Sequence, residues 1–422
     1  MVVKRNQSPI RTLITSTAPA WANGPRLGKR LLLGQTAAAC KNSHCLGKRP
    51  LPAKTVPAWE SLSLVYCTAG SVLAMILQMM AGCGRWMPRK HFETPAAMPQ
   101  NSMDGQQSVS FQSLVQDAIV LTGPTASGKS TTAIALAQLI DGEILSLDSI
   151  AVYRGMDIGS AKPTREDQQA VPHHLIDLVA PTEEFSVACY LAAAHKAVEQ
   201  IRRRGRRPIF VGGTPMFLKG VLRGFDPGPP ADWDFRAAVE SDLKQHGIEA
   251  LRERLQQVDP LAAHRIGPND ARRMIRALEV SHQTGIPISH RQIQFDHCQD
   301  PNDCNVFALN WQRAQLHARI NCRVQQMFDD GLIAEVNNLL KAHGHLSRTA
   351  AQAVGYREII EWISEETSDT DTLVEEVSAH TRQLARRQET WLRSFDERRL
   401  IDVTATDQPE TIAEQIAAQL VS

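Results

Sequence analysis

No two cysteines of this chain stand in Cys-x-x-Cys spacing. The eight present fall at positions 40, 45, 67, 83, 189, 298, 304 and 322. The close pairs Cys40/Cys45 and Cys298/Cys304 lack the Cys/His set that a zinc finger requires. A disulfide framework and a structural zinc site are therefore not expected, whereas reduced thiols in a cytoplasmic protein are. Aromatic residues are scarce, at 5%, and net charge is nearly absent, at +1. With 43% apolar and 22% charged residues, the chain is neither collagen-like nor wholly disordered. Its 422 residues suffice for two or three domains.

The small net charge conceals an asymmetry. Residues 1–103 hold 13 basic and 2 acidic residues, a balance of +11, and residues 104–422 hold 33 and 43, a balance of −10. The larger part has no global basic signature, so any RNA contact there must come from local patches. Long charge-free apolar runs are missing but for Leu62–Gly82. That run is about the length of a membrane span and has a basic flank before it. The alternative is that residues 1–117 are a poorly structured extension. Met103 lies fifteen residues before the first convincing strand and is a natural start for the globular part. The upstream residues then reflect a mis-called start of translation, and no membrane association is expected.

Ala118–Thr122 is a short apolar run suited to a buried parallel strand. Gly123, Pro124, Thr125, Ala126, Ser127, Gly128, Lys129 and Ser130 follow, a full match to G-x-x-x-x-G-K-[ST]. Apolar residues at helical spacing come next, so strand, loop and helix appear in the order the motif requires. Glycines let successive backbone N–H groups converge on one phosphate cluster. The helix N-terminus adds partial positive charge. Lys129 supplies a point charge, and the Ser130 hydroxyl can ligate Mg²⁺. The loop alone specifies a polyphosphate, not ATP.

Glu143–Leu147 reads as a second buried strand, which places Asp148 and Ser149 at its C-terminal end, where open α/β sheets hold their ligands. There Asp148 could hold Mg²⁺, remove a proton, or merely cap the following turn. Arg207–Gly212 reads as a third strand ending in Gly212-Gly213-Thr214. Residues 232–300 interrupt this α/β pattern with helical sequence, including Phe235–Leu255 and Pro268–Gln283. The expected organisation is thus an extension over 1–117, a first core part over 118–231, a helical insertion over 232–300, and a return to the core with C-terminal helices over 301–422.

The string from Asp148 to Pro163, DSIAVYRGMDIGSAKP, stands behind the phosphate loop. Further strings follow in order: Pro172–Asp177, Gly212–Thr214, Asn269–Val280, Ala353–Glu358, and Thr381–Arg393. Together they resemble the tRNA dimethylallyltransferases over about residues 118–403. The resemblance implies a P-loop NTPase-like parallel sheet flanked by helices, with an inserted all-helical domain. It implies transfer of a dimethylallyl group from dimethylallyl diphosphate to N6 of adenosine 37, beside the tRNA anticodon. It assigns proton removal to Asp148, a leaving-group oxygen contact to Thr214, and the diphosphate to the loop from Gly123 to Ser130, so ATP hydrolysis is not expected. Contacts with tRNA map to Asp148, Ser149, Ile150 and Ala151, to Arg272, Arg273, Met274, Ile275 and Arg276, and to Gly355, Tyr356 and Arg357. Mg²⁺ is the expected cofactor and the anticodon stem-loop the expected partner of a monomeric enzyme.

Arg357 is a candidate second clamp on diphosphate or tRNA, although it could instead pair with Glu358 or Glu361. Arg272, Arg273 and Arg276 could share one helix face, and Arg382, Arg386, Arg387 and Arg393 a second basic stripe that meets phosphates. His173 and His174 have no third ligand at sensible spacing, and helix- or turn-packing is the expected role. Two positions depart from the family pattern. Ala151 replaces a glutamine, so no base recognition is assigned there, and Phe217 replaces a tyrosine that is dispensable if it only packs. A phosphate-loop kinase of a small metabolite shares the loop but gives the arginine motifs no purpose. A prenyltransferase of free adenine nucleotides has no need of the helical insertion. A plain RNA-binding protein has no use for an intact Lys129, Ser130 and Asp148.

Overall fold

The computed structural model describes residues 110–116, 118–365 and 369–420. Leu62–Gly82 lies outside them. Within the described residues, no helix is long and apolar enough to cross a membrane. The strands are β1 (Ile119–Thr122), β2 (Gly142–Leu147), β3 (His173–His174), β4 (Arg207–Gly212), β5 (Asn305–Trp311) and β6 (Arg399–Val403). They form one sheet in the order β3-β2-β4-β1-β5-β6, and every pairing is parallel. Parallel neighbours need crossover connections, and helices supply them on both faces. Alternate residues of β1 point to opposite cores, Ile119 and Leu121 to one and Val120 to the other. This explains why β1 reads as an unbroken apolar run.

Register positions the site. Thr122 of β1 is level with Gly212 of β4, and Leu147 of β2 is level with the same Gly212. The next residue in each strand is therefore Gly123, Gly213 or Asp148, so three functional turns leave the sheet side by side. The chain crosses from β4 past β1 to β5, which makes the β1 end a topological switch point.

The helices on the sheet are α1 (Lys129–Ile140), α2 (Arg165–Ala170), α3 (Val187–Arg203) and α4 (Pro215–Arg223). The chain then leaves the sheet for α5 (Trp233–Val258, broken at Gly247), α6 (Pro260–Arg265), α7 (Ala271–Thr284) and α8 (Ile288–Arg291). These helices enclose a core of their own, including Val239, Leu255, Met274, Ile275 and Leu278. After β5 come α9 (Arg313–Asp329), α10 (Leu332–His343), α11 (Arg348–Ala351), α12 (Tyr356–Ser364) and α13 (Thr370–Leu392), and after β6 comes α14 (Pro409–Ala417).

His173 and His174 form the short strand β3, which the sequence reading did not anticipate. His174 Nε2 lies 2.6 Å from Glu143 Oε2, and His173 Nδ1 bonds the Val171 carbonyl. Glu143 is buried and also meets Arg204. The pair thus serves packing at a sheet edge. Among the described residues no group of three His, Cys, Asp or Glu could hold a metal.

A buried carboxylate fastens the helical unit. Glu279 of α7 is fully enclosed and accepts from the Asp232 amide, from Nε and Nη2 of Arg236, and from Arg276. Burial opposes its ionisation, yet these hydrogen bonds hold its carboxyl below the usual glutamate value. Because the folded value lies below the unfolded one, about 4.3, its stabilisation is present above that pH and is lost as pH falls through the folded value. Glu279→Ala should destabilise the protein by about 2–3 kcal/mol, less than a fully buried pair because both arginines keep some water contact. Urea denaturation of both proteins checks this, and an unchanged midpoint would show that the network contributes nothing.

Candidate active site

The phosphate loop spans the gap between β1 and α1. Gly123 has φ 149°, Ala126 φ 62°, and Gly128 φ 87°. A Cβ at Gly123 would lie 3.0 Å from Ser127 Oγ and 3.1 Å from the Leu309 carbonyl, so a side chain there meets both strain and backbone. From the far side, Trp311 Nε1 donates to the Ser127 carbonyl (2.9 Å) and Arg319 Nε to the Ala126 carbonyl (2.9 Å). The Arg319 guanidinium also lies 4.6 Å from the centre of the Trp311 ring. The Ala126 and Ser127 carbonyls are thereby satisfied, and with the Thr125 and Ser127 amides bonded to Gln388 and Pro124, the amides of Gly128, Lys129 and Ser130 are left for an anion.

Lys129 folds back on the loop, with Nζ 2.6 Å from the Pro124 carbonyl. The residue stands part-exposed at the mouth of a cleft, yet its ammonium end is enclosed. Burial pushes its pKa down to about 7. The neighbouring Arg323 charge adds to this, and Asp148 opposes it. Arg323 is lowered for the same reason, burial first, with Asp148 again offsetting. The cleft, about 1090 Å³, is lined by Ala126–Thr131, Lys162, Arg319 and Arg323 among others. Two small cavities of about 110 and 100 Å³ adjoin it. Thr125, Asp148, Ser160 and Arg323 line both, and Lys129 and Ser130 line the first.

Asp148 does cap its turn, and it also faces the site. Its Oδ1 accepts from Ile150 N (2.7 Å) and Ala151 N (3.2 Å), while Oδ2 has no hydrogen-bond partner among the described residues. Thr214 Oγ1 accepts from Ser149 N at 3.0 Å, joining the two strand-end turns. Gly212 is forced by close approach: a Cβ there would stand 2.4 Å from the Leu147 carbonyl. Phe217 stacks on Tyr190 with ring centres 3.9 Å apart and is buried, so position 217 packs in the core.

Other sequence candidates lie elsewhere. Arg357 pairs with Glu358 and His380 and lines none of these cavities, whereas Gly355 does. Tyr356 is fully buried, and its hydroxyl donates to Glu335. Glu335 also accepts the amides of Asp157, Ile158 and Gly159, so this tyrosine pins the segment that walls the cleft. Met274 and Ile275 fill the helical core. Arg276 turns inward to Glu279 and to the Pro227 and Pro229 carbonyls, so it does not share an exposed face with Arg272 and Arg273. Arg382 is tied to Asn321 and Glu375, while Arg386, Arg387 and Arg393 remain exposed.

Arg323 is the site residue that sequence reasoning missed. Arg319 and Arg323 stand four apart on α9 and so share a face. The signal was the apolar run Asn305–Trp311, an unread strand, followed by arginines at helical spacing.

With its pKa near 7, Lys129 is half neutral in the empty protein at neutral pH and mostly neutral above it. Diphosphate oxygens favour the charged form, so binding should draw in a proton above about pH 7. Calorimetry of dimethylallyl diphosphate binding at about pH 8, in two buffers of different protonation heat, should show this uptake, and Lys129→Met should abolish it. Identical heats in both buffers would contradict the assignment.

The IPP transferase family model matches residues 151–395, and the isopentenyl transferase model matches residues 116–178. A tRNA dimethylallyltransferase of Rhodopirellula baltica is 60% identical over 299 residues, covering 69% of this chain and 89% of the relative. One from Geobacter sulfurreducens is 43% identical over 65% of this chain and 88% of its own length. The crystal structure of a tRNA isopentenylpyrophosphate transferase from Bacillus halodurans superposes with a TM-score of 0.52 at 36% identity, covering 72% of this chain and 96% of that one. A eukaryotic dimethylallyltransferase acting on tRNA gives 0.59 at 26% identity, over 71% and 77%. Taken with a phosphate loop that opens onto Asp148, these matches show that the chain belongs to the IPP transferase family, the tRNA dimethylallyltransferases.

Proposed function

We propose that this protein transfers the dimethylallyl group of dimethylallyl diphosphate to N6 of adenosine 37 in the anticodon loop of tRNA. The observation that carries this reading is Asp148, which lines one small cavity with Lys129 and Arg323 and keeps one carboxylate oxygen without a hydrogen-bond partner among the described residues. A phosphate-loop kinase could also use a carboxylate there, but the family match and the exposed arginines of α7 and α13 have no purpose in a kinase of a small metabolite.

The exocyclic amine is a weak nucleophile because its lone pair is delocalised into the ring. The allylic carbon compensates by tolerating positive charge as its bond to oxygen breaks. The N6–carbon bond forms, the carbon–oxygen bond breaks, its electron pair leaves with diphosphate, and the amine proton goes to Asp148. The loop amides, Lys129 and Arg323 stabilise the departing charge. Thr214 lines none of the three cavities itself, but it follows Gly213, which does, and its hydroxyl next to Ser149 supports a contact with the bridging oxygen. The donor set at the cleft is hard: the Ser130 hydroxyl, the Asp148 carboxylate and the oxygens of the diphosphate itself. It fits Mg²⁺ held largely by the substrate. When bound, the ion would neutralise leaving-group charge.

The target base must leave the stack to reach Asp148, which a single-stranded loop allows at modest cost. Exposed Arg272 and Arg273 on α7 and Arg386, Arg387 and Arg393 on α13 suit phosphate contacts that set register.

Incubation with dimethylallyl diphosphate, Mg²⁺ and unmodified tRNA, followed by nucleoside analysis, should yield N6-isopentenyladenosine, with AMP far poorer as acceptor. Product on AMP alone would overturn the tRNA reading. Asp148→Ala should keep tRNA binding and lose transfer by roughly 10²-fold or more. Full turnover by that variant would remove Asp148 from the chemistry. Arg323→Gln should raise KM for the prenyl diphosphate roughly 10-fold or more, the size of a lost charge-assisted bond. An effect confined to tRNA affinity would place Arg323 on the wrong substrate.

A further inference from the structure

We propose that Gln388 is a positioning residue for prenyl transfer, clamping the phosphate loop to the Gly213–Thr214 turn at one fixed separation. The proposal rests on the prenyl-transfer reading. Gln388 comes from α13, far in sequence from both turns, and reaches between them. Its Oε1 accepts the Thr125 amide at 2.8 Å, and its Nε2 donates to the Gly213 carbonyl at 3.1 Å. It lines the same cavity as Lys129, Asp148 and Arg323. Room for it exists only because residue 213 is glycine. A Cβ there would lie 2.8 Å from Gln388 Nε2 and 2.9 Å from the Gly123 carbonyl.

The chemistry of the clamp is specific. One end must accept and the other must donate, and a side-chain amide does both from a rigid plane. An ionised carboxylate only accepts, so it would face the Gly213 carbonyl with like charge and add a negative group beside the diphosphate. A protonated carboxyl has one O–H and one C=O and restores the pattern. Both clamped parts meet the leaving group on the proposed reading: the phosphate loop holds the diphosphate, and Thr214, which follows Gly213, meets its bridging oxygen. Loss of the clamp lets that spacing drift, and small misplacements cost rate steeply. Docking of α13 itself does not depend on Gln388, because Leu373, Val377, Ala385 and Leu392 are buried in the sheet's two cores.

The test uses the full chain with Gln388→Met and Gln388→Glu. Gln388→Met should lower kcat/KM for dimethylallyl diphosphate about 10–100-fold and weaken pyrophosphate binding. Its tRNA affinity should stay within twofold, and its Tm should stay close to that of the parent. For Gln388→Glu, activity relative to the parent should be lost between about pH 6 and 8, where a carboxyl with the usual value of about 4.3 is ionised, and should begin to recover as pH falls toward about 5 and the protonated form returns. A helix-packing role gives no such recovery. Gln388→Met within threefold of the parent in both kcat/KM and pyrophosphate affinity overturns the proposal. So does a loss seen only in tRNA affinity, or one that merely tracks a fall in Tm. Pyrophosphate affinity decides the question separately from acceptor identity, so failure of the tRNA reading and failure of the clamp are distinguishable.

Discussion

Lys129 and Arg323 place two cations in an enclosed space, and Asp148 is the acid that offsets them both. Bringing these charges together without ligand is unfavourable, and the fold tolerates it because rigid elements fix each one. Lys129 starts α1, Arg323 sits on α9, and Asp148 ends β2. Their backbone positions are fixed by the core, so these side chains start from a common point. On the proposed reaction the same arrangement serves both halves: the cations stabilise the leaving anion, and the carboxylate meets the incoming amine. Much of the remaining architecture holds these three groups in place. Glu335 and Tyr356 brace the wall of the cleft, and Trp311 and Arg319 brace the back of the loop.

The front of the site was legible from sequence because it is local. Gly123–Ser130 encodes its own loop, and β1, β2 and β4 are short apolar runs that end in polar turns. The back of the site was not legible, because it is assembled over long separations. Arg323 follows an apolar strand and Gln388 stands inside the Thr381–Arg393 string, but each lies well over a hundred residues from the loop, so nothing local says that its side chain reaches the site. Burial also limits what other quoted residues can offer through their side chains. Tyr356, Met274, Ile275 and Arg276 sit inside strings that resemble functional motifs, yet their side chains complete cores or internal networks. Arg357 was open between clamp and ion pair, and the pairing with Glu358 is what forms.

The edges of the sheet illustrate a second limit. β3 is two residues long and exists because His173 and His174 align with Ile144 and Leu145 on β2. β6 has an alternating, half-exposed pattern that resembles a loop in isolation. Both depend on a neighbour already in place, so tertiary pairing and not local propensity decides them.

The bond between Lys129 and the Pro124 carbonyl carries a consequence for selectivity. In its resting form the loop is latched by its own cation. A weakly charged ion such as chloride offers the ammonium little more than that carbonyl already does, and it leaves the latch closed. A multiply charged diphosphate opens it and recharges the amine in the same event. Exchange of that carbonyl for a ligand oxygen therefore rewards a polyanion more than a singly charged ion.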